Sequence, residues 1–300
     1  MKLRNNIVLL IASCGVLFTA CSKEDKLNSN SVFVDSDIPK NPLDTYLYNN
    51  FVKPYNIEIM YKYVDKESDM TYRLVPAPYE SSVRLSKLLL FLAIEPYNQV
   101  TGSKQFIRDN FPKIITFTGS VPVQTNGVII KGTAESGTKV SLYNLLGLTE
   151  AKSVSSVFLN DEYFKTVHHE FQHILNQNKP YPSSFKEISG LNYVEDEWNA
   201  KYPTLESAVK AGFVSRYASK ADTEDFAELY SFYVTRSQAD FDAIVNSDGS
   251  ASAGKAIILS KLAIVKSYMK SEWNIDMDVL RSNILARYAE LGTFDQTTLN

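Results

Sequence analysis

The chain of 300 residues has only two cysteines, Cys14 and Cys21, and none beyond position 21. No disulfide can therefore staple the body of the fold, and a structural zinc site built on thiolates is excluded. A basic excess is missing as well: 31 Lys and Arg stand against 34 Asp and Glu, for a net charge of -3. Nucleic-acid binding loses its usual electrostatic basis. The uncharged run from Ile7 to Phe18 is too short to span a bilayer as a stable helix. Internal repeats and low-complexity stretches are also lacking. What is present is 44% hydrophobic residues with only 22% charged. That suffices to bury a substantial core and is too apolar for a disordered chain, in one large domain or two modest ones.

Lys2 and Arg4 ahead of the Ile7–Phe18 run give the layout of an export signal. The run ends in Leu17-Phe18-Thr19-Ala20-Cys21, which resembles a bacterial lipobox and makes Cys21 the expected acylated first residue. Ile11-Ala12-Ser13-Cys14 resembles one too, but it would leave a very short apolar core. The following Ser22-Lys23-Glu24-Asp25 resembles the signal that sends Bacteroidota lipoproteins to the outside of the outer membrane. A charged soluble tether is the plainer reading of the same residues. The expected organisation is a signal peptide over 1–20, a lipid-anchored flexible tether over 21–44 rich in Ser, Asn, Asp and Lys, and a folded domain over 45–300. The membrane is then met through the lipid anchor, and the expected location is the outer membrane facing the exterior.

Leu43 to Tyr63 is dense in aromatics, and Pro54 is expected to divide it into a short helix and a strand over Asn56–Tyr61. Val83 to Ile94 has helical spacing and is expected to stop before Pro96. Short strands are expected at Lys113–Thr118, Val128–Lys131, Lys139–Tyr143 and Ser155–Leu159. From Asp161 the pattern is helical nearly to the end, including Ser252–Lys270 and Asp276–Leu291. A small mixed sheet followed by a helical carboxy-terminal half is an α+β architecture. Trp198 and Trp273 could hold a glycan, although a packed role is the simpler reading.

All three histidines fall within Val167-His168-His169-Glu170-Phe171-Gln172-His173-Ile174-Leu175. On a 3.6-residue period Tyr163, Phe164, Val167, Phe171 and Ile174 form one apolar stripe, and His169 and His173 sit a turn apart on the other side. Two imidazoles at i, i+4 can supply two corners of a zinc tetrahedron, with Glu170 flanking the water as general base. The alternative is a solvated helix whose histidines happen to align. His168 points elsewhere and reads as packing or support. A catalytic zinc needs a third protein ligand, and since no histidine remains the search is for a carboxylate. Thr223 to Val234 is an apolar helix on which Glu224 and Glu228 share one narrow face. Two buried carboxylates demand a cation, either a metal or an arginine such as Arg216 or Arg236.

His169-Glu170-Phe171-Gln172-His173, then Tyr217, then Glu224-Asp225-Phe226-Ala227-Glu228 resembles the catalytic domain of anthrax lethal factor and other gluzincin-type zinc peptidases. A longer resemblance, from Asn50-Phe51-Val52-Lys53-Pro54-Tyr55-Asn56-Ile57 through Lys139-Val140-Ser141-Leu142-Tyr143 to about Tyr288, is to the putative zinc-binding metallopeptidase family of bacterial surface lipoproteins. The resemblance implies a zincin-like fold and a Zn2+ cofactor held by His169, His173 and Glu224. It further implies Glu170 as general base, Tyr217 as a hydroxyl stabilising the tetrahedral intermediate, and Glu228 as a supporting carboxylate. It makes the implied substrate a peptide or protein, with no obligate protein partner to be inferred. In zincins a strand ahead of the metal helix pairs with the extended substrate, a role open here to Ser155–Leu159, which would otherwise be an interior strand. Two other functions fit the same residues: a non-catalytic surface binding lipoprotein with structural zinc, and a zinc amidase acting on peptidoglycan.

Overall fold

A computed structural model describes residues 41–64, 71–123, 132–135, 139–249 and 252–299. The signal-like segment with Cys14 and Cys21, the tether to residue 40 and the strand expected at Val128–Lys131 lie outside the described residues. The described residues include a capped helix that starts ahead of the expected boundary at 45. Asn41 caps helix α1 (Pro42–Leu47) in a reciprocal capping box with Asp44, and Leu43 is fully buried.

Four strands, β1 (Glu58–Met60), β2 (Ile114–Phe117), β3 (Gly132–Glu135) and β4 (Lys139–Leu142), form one sheet in the order β1-β2-β4-β3. β1, β2 and β4 run parallel, and β3 is antiparallel to β4. The sheet is therefore mixed, as expected. β4 is buried along its whole length, the usual fate of a parallel strand covered on both faces. Its Ser141 meets Thr116 of β2 through a 2.9 Å hydrogen bond between hydroxyls.

Two prolines expected to interrupt helices do not. Pro54 and Pro96 each lie just beyond a π turn, at Tyr48–Val52 and Leu90–Ile94, closed by Lys53 N–H to Tyr48 O and Glu95 N–H to Leu90 O. A proline clashes with the carbonyl four residues earlier, here Asn50 and Leu92, and the wider turn displaces that carbonyl. The first helical run thus ends at Asn56, in the left-handed region with φ 56°, and not at Pro54. Likewise α2 (Tyr79–Leu89) continues through its π turn into α3 (Glu95–Thr101) and stops at Gly102, φ 68°.

The segment Ser155–Leu159 is helical, which corrects the strand expected there. Ser155 accepts the Phe158 amide as an N-cap for α4 (Ser156–Leu159), which runs through a third π turn (Asn160–Phe164) into α5 (Lys165–Asn178). A cap and a continuous helix override the strand propensity of Val157 and Phe158. The proposed pairing of substrate with this segment falls with it.

After α6 (Ser184–Ser189) and α7 (Leu205–Lys210), helices α8 (Asp222–Thr235), α9 (Ala253–Trp273) and α10 (Met277–Ala289) complete the helical half. α8 packs along α5 with Phe226, Leu229, Tyr230 and Val234 buried, as are Val167, Phe171 and Leu175 of α5. Phe171 is ringed by Tyr97, Phe106 and Phe111 at centroid distances of 5.1, 5.8 and 4.9 Å. At the start of α9 a Cβ on Gly254 would lie 1.9 Å from Val209 O of α7, so this contact tolerates no side chain. Among the described residues no helix is long and apolar enough to cross a membrane.

Candidate metal centre

The apolar stripe of α5 faces the core and fixes the helix's rotation, which turns His169 and His173 toward the first turns of α8. The rings lie nearly perpendicular, with centroids 4.7 Å apart. Their Nε2 atoms are 3.0 Å apart, and Glu224 Oε2 lies 3.0 Å from His169 Nε2 and 3.2 Å from His173 Nε2. Glu170 adds a carboxylate close enough that its oxygen and the two imidazoles fall within 4.8 Å of one another.

These separations can be tested against a metal. Donors at about 2.0–2.1 Å from a tetrahedral zinc are about 3.3 Å apart, close to the triangle seen. The donor chemistry points the same way. His169 Nδ1 lies 2.9 Å from Glu228 Oε1, at ion-pair distance though without the linear geometry of a hydrogen bond. In the neutral imidazole, the form that ligates a metal, a proton on Nδ1 leaves Nε2 as a bare lone pair aimed at another imidazole nitrogen and a carboxylate oxygen. Such a convergence is repulsive unless a cation is shared by all three, and two imidazoles with one carboxylate are a borderline-soft set suited to zinc. The residues fit the ion.

Without a metal the electrostatics describe one coupled cluster, in which a proton on His169 Nε2 takes the place that a cation would hold. Burial alone would raise Glu224, but hydrogen bonds with His169 and His173 hold its carboxyl far below the ordinary range. Burial would lower His169, yet Glu224 and Glu228 hold it up at about 9. Glu228 is 1% exposed, and against that burial Lys165 and His169 bring it down to about 2. Lys165 Nζ sits 2.5 Å from Glu228 Oε1, and Ser215 Oγ donates to Glu228 Oε2 at 2.5 Å. Glu170 moves the other way: burial raises it, and the flanking imidazoles oppose the rise only in part.

Tyr217 stands in a short turn (Tyr217–Ser219) just ahead of α8, with its ring 6.1 Å from that of His169. Burial and the neighbouring Glu224 carboxylate hold its hydroxyl well above the usual phenol value, so it is a donor at any ordinary pH. Trp198 packs edge-on against Tyr217 at 5.4 Å, and Trp273 donates to Tyr268 Oη, so both have packing partners. His168 is fully buried with Nδ1 2.7 Å from Tyr97 Oη, which also meets Tyr230 Oη at 2.7 Å. Burial presses His168 down to about 3, leaving it neutral.

All the expected site residues except Cys21, which lies outside the described residues, thus converge on one face between α5 and α8. The arginine alternative for the Glu224–Glu228 pair does not hold. Arg216 bonds Tyr202 O and Asn199, and Arg236 faces Asp161. The cation at Glu228 is Lys165, which sequence reasoning passed over although it lies four residues before His169 on the same helical face. Ser215 had no such signal, because it reaches Glu228 from a loop.

Over residues 36–278 the chain matches the family model described as putative zinc-binding metallo-peptidase. It is similar to a solved structure from Bacteroides caccae described in the same words, with 35% sequence identity and a TM-score of 0.75. The match covers 90% of this chain and 100% of that one. No functionally curated protein matches it.

Proposed function

The chain belongs to the family of putative zinc-binding metallo-peptidases, and from that premise we propose that it is a zinc-dependent hydrolase of peptide bonds. The observation that supports this most is the meeting of three lone-pair donors, His169 Nε2, His173 Nε2 and Glu224 Oε2, within 3.2 Å beside a free carboxylate on Glu170. When bound there, zinc supplies a Lewis acid that polarises a carbonyl and acidifies a water. Glu170 takes the proton of the attacking water on its carboxylate and returns it to the departing amine. Its burial helps, since a raised pKa brings a carboxylate nearer to holding a proton at neutral pH. The Tyr217 hydroxyl donates to the oxyanion that develops on the scissile carbonyl, a contribution of about 3 kcal/mol for a single donor. Glu228 fixes His169 by facing Nδ1, so that Nε2 remains the donor.

A structural zinc would have no use for a general base, so Glu170 separates catalysis from metal-dependent binding. The Glu170→Gln variant is expected to keep one zinc per chain by elemental analysis and to lose hydrolysis of a peptide panel. Hydrolysis at the unmodified rate by that variant would overturn the mechanism. We further propose, from the lipobox-like Leu17–Cys21, that the enzyme works at the outer-membrane surface through an acylated Cys21. Metabolic labelling with a fatty acid, compared in Cys21→Ala, tests that anchor.

A further inference from the structure

Beside the metal centre a groove of about 520 Å³ runs from His173 and Thr223 along the end of α5 to the segment leading into α6. Its walls carry neutral polar groups such as Asn176, and its charged groups are Asp222 and Lys186. These two are held very differently. Asp222 opens α8 two residues before Glu224, is only 20% exposed, and accepts a 2.7 Å hydrogen bond from Tyr181 Oη. Lys186 reaches the other carboxylate oxygen at 3.2 Å from a side chain 62% exposed. A surface pair of this kind adds little stability, so the lysine can leave for solvent at small cost while Asp222 stays fixed by Tyr181.

We propose that this groove is a substrate side-chain subsite that selects a basic residue, arginine or lysine, beside the scissile bond, with Asp222 as its anchor. The proposal rests on the peptidase reading above and adds the substrate class. An incoming guanidinium or ammonium replaces Lys186 at Asp222 Oδ1, while its aliphatic stem lies along Pro180 and the ring of Tyr181. An acidic side chain would have to compete with the fixed Asp222 carboxylate for the groove's cation, Lys186. A neutral one would gain nothing from the exchange.

The test has two arms. In the first, zinc-loaded protein cleaves peptides that differ at one residue next to the scissile bond. The ratio of kcat/KM for basic over neutral peptides is expected to exceed about tenfold, to collapse in Asp222→Asn and to rise in Lys186→Ala. Because a ratio is read, a general loss of activity in either variant does not move it, and Lys186 is too exposed for its removal to unfold the chain. A preference for acidic or neutral peptides, or a ratio untouched by Asp222→Asn, overturns the proposal. In the second arm, Nα-acetyl-argininamide is titrated against zinc-loaded Glu170→Gln protein by NMR. Saturable binding that Asp222→Asn removes supports the subsite even if no peptide is ever cut, in which case only the peptidase reading fails. Absence of binding overturns the subsite whatever the protein hydrolyses.

Discussion

Replacing Lys261 by Met would expose how much of α8, the helix that carries Glu224 and Glu228, rests on one buried ion pair. Lys261 is fully buried on α9, with Nζ 2.6 Å from Asp225 Oδ2 and 2.9 Å from Gly212 O, and it lies 4.3 Å from the ring centre of Phe213. Asp225 is 1% exposed and keeps only the Tyr193 hydroxyl, at 2.8 Å, once the lysine is gone. Breaking a buried pair from one side costs about 3–5 kcal/mol. Protonation of Asp225 sets a ceiling on that cost. Burial pushes this carboxyl up to about 6 even with Lys261 opposing it, so without the lysine it is neutral in the folded protein at pH 7. Neutralising a group that is ionised in the unfolded chain, with an ordinary value near 3.9, costs about 4 kcal/mol at pH 7, at ~1.4 kcal/mol per pH unit. The sign follows from the raised folded value. The unfolded chain ionises while the folded one stays protonated, so the penalty grows as pH rises above about 4 and shrinks as it falls. Urea denaturation of Lys261→Met is therefore expected to show a deficit of up to about 4 kcal/mol at pH 7 that is about 1 kcal/mol smaller at pH 5.5, because Asp225 of the unmodified protein, at about 6, also takes up most of a proton over that interval. Lys261→Met with Asp225→Asn, which leaves no charge to bury, should recover most of the loss. A deficit under about 1 kcal/mol, or one that does not shrink at the lower pH, would refute the reasoning.

Glu224→Ala removes one of the three converging donors, and elemental analysis should find bound zinc falling from one per chain to a small fraction, with the helical circular dichroism retained. Tyr217→Phe keeps the ring that packs on Trp198 and removes the donor, so kcat should fall by about 10²–10³ with zinc content and KM little changed; a fall in KM-linked binding alone would place the hydroxyl outside the chemistry. Gly254→Ala would ordinarily stabilise a helix by up to about 1 kcal/mol, but here the added Cβ meets Val209 O at 1.9 Å. Thermal denaturation should report a net loss of about 1–3 kcal/mol, and any gain in stability would contradict the close approach of α7 and α9.

Much of the site could be read from residue types and spacing. His169 and His173 are a turn apart, Glu170 lies between them, and Glu224 and Glu228 repeat the same spacing on an apolar helix. What could not be read was the pairing across helices. Lys165 as the counter-ion of Glu228 depends on which way α5 and α8 pass each other, and Ser215 depends on the path of a loop. In the fold, β2, β4 and the two last helices followed their patterns, whereas three local readings failed for nameable reasons. Pro54 and Pro96 read as breaks because a regular α-helix cannot hold them, and π turns relieve the clash. Ser155–Leu159 carried strand-like residues, and a serine cap joined to a long helix outweighed them.

The third π turn shows why the donors were legible although the start of their helix was not. One inserted residue rotates everything after it by about 100°, which defeats a single period drawn across residues 156–178. The insertion falls at Asn160–Phe164, wholly ahead of Lys165, so Lys165, His169 and His173 stay in regular four-residue register. On α8 the matching residues are Glu228 and Glu224, met in reverse order: Lys165 and His169 touch Glu228, while His169 and His173 touch Glu224. The two helices therefore run antiparallel at the site, and the five side chains form a ladder in which each carboxylate sits between two lysine or imidazole neighbours. His169 is the shared rung, with one nitrogen on each carboxylate. Under the proposed zinc reading that position gives each glutamate its own role: Glu224 would close the donor set, and Glu228 would keep the proton of His169 on the far side of the ring.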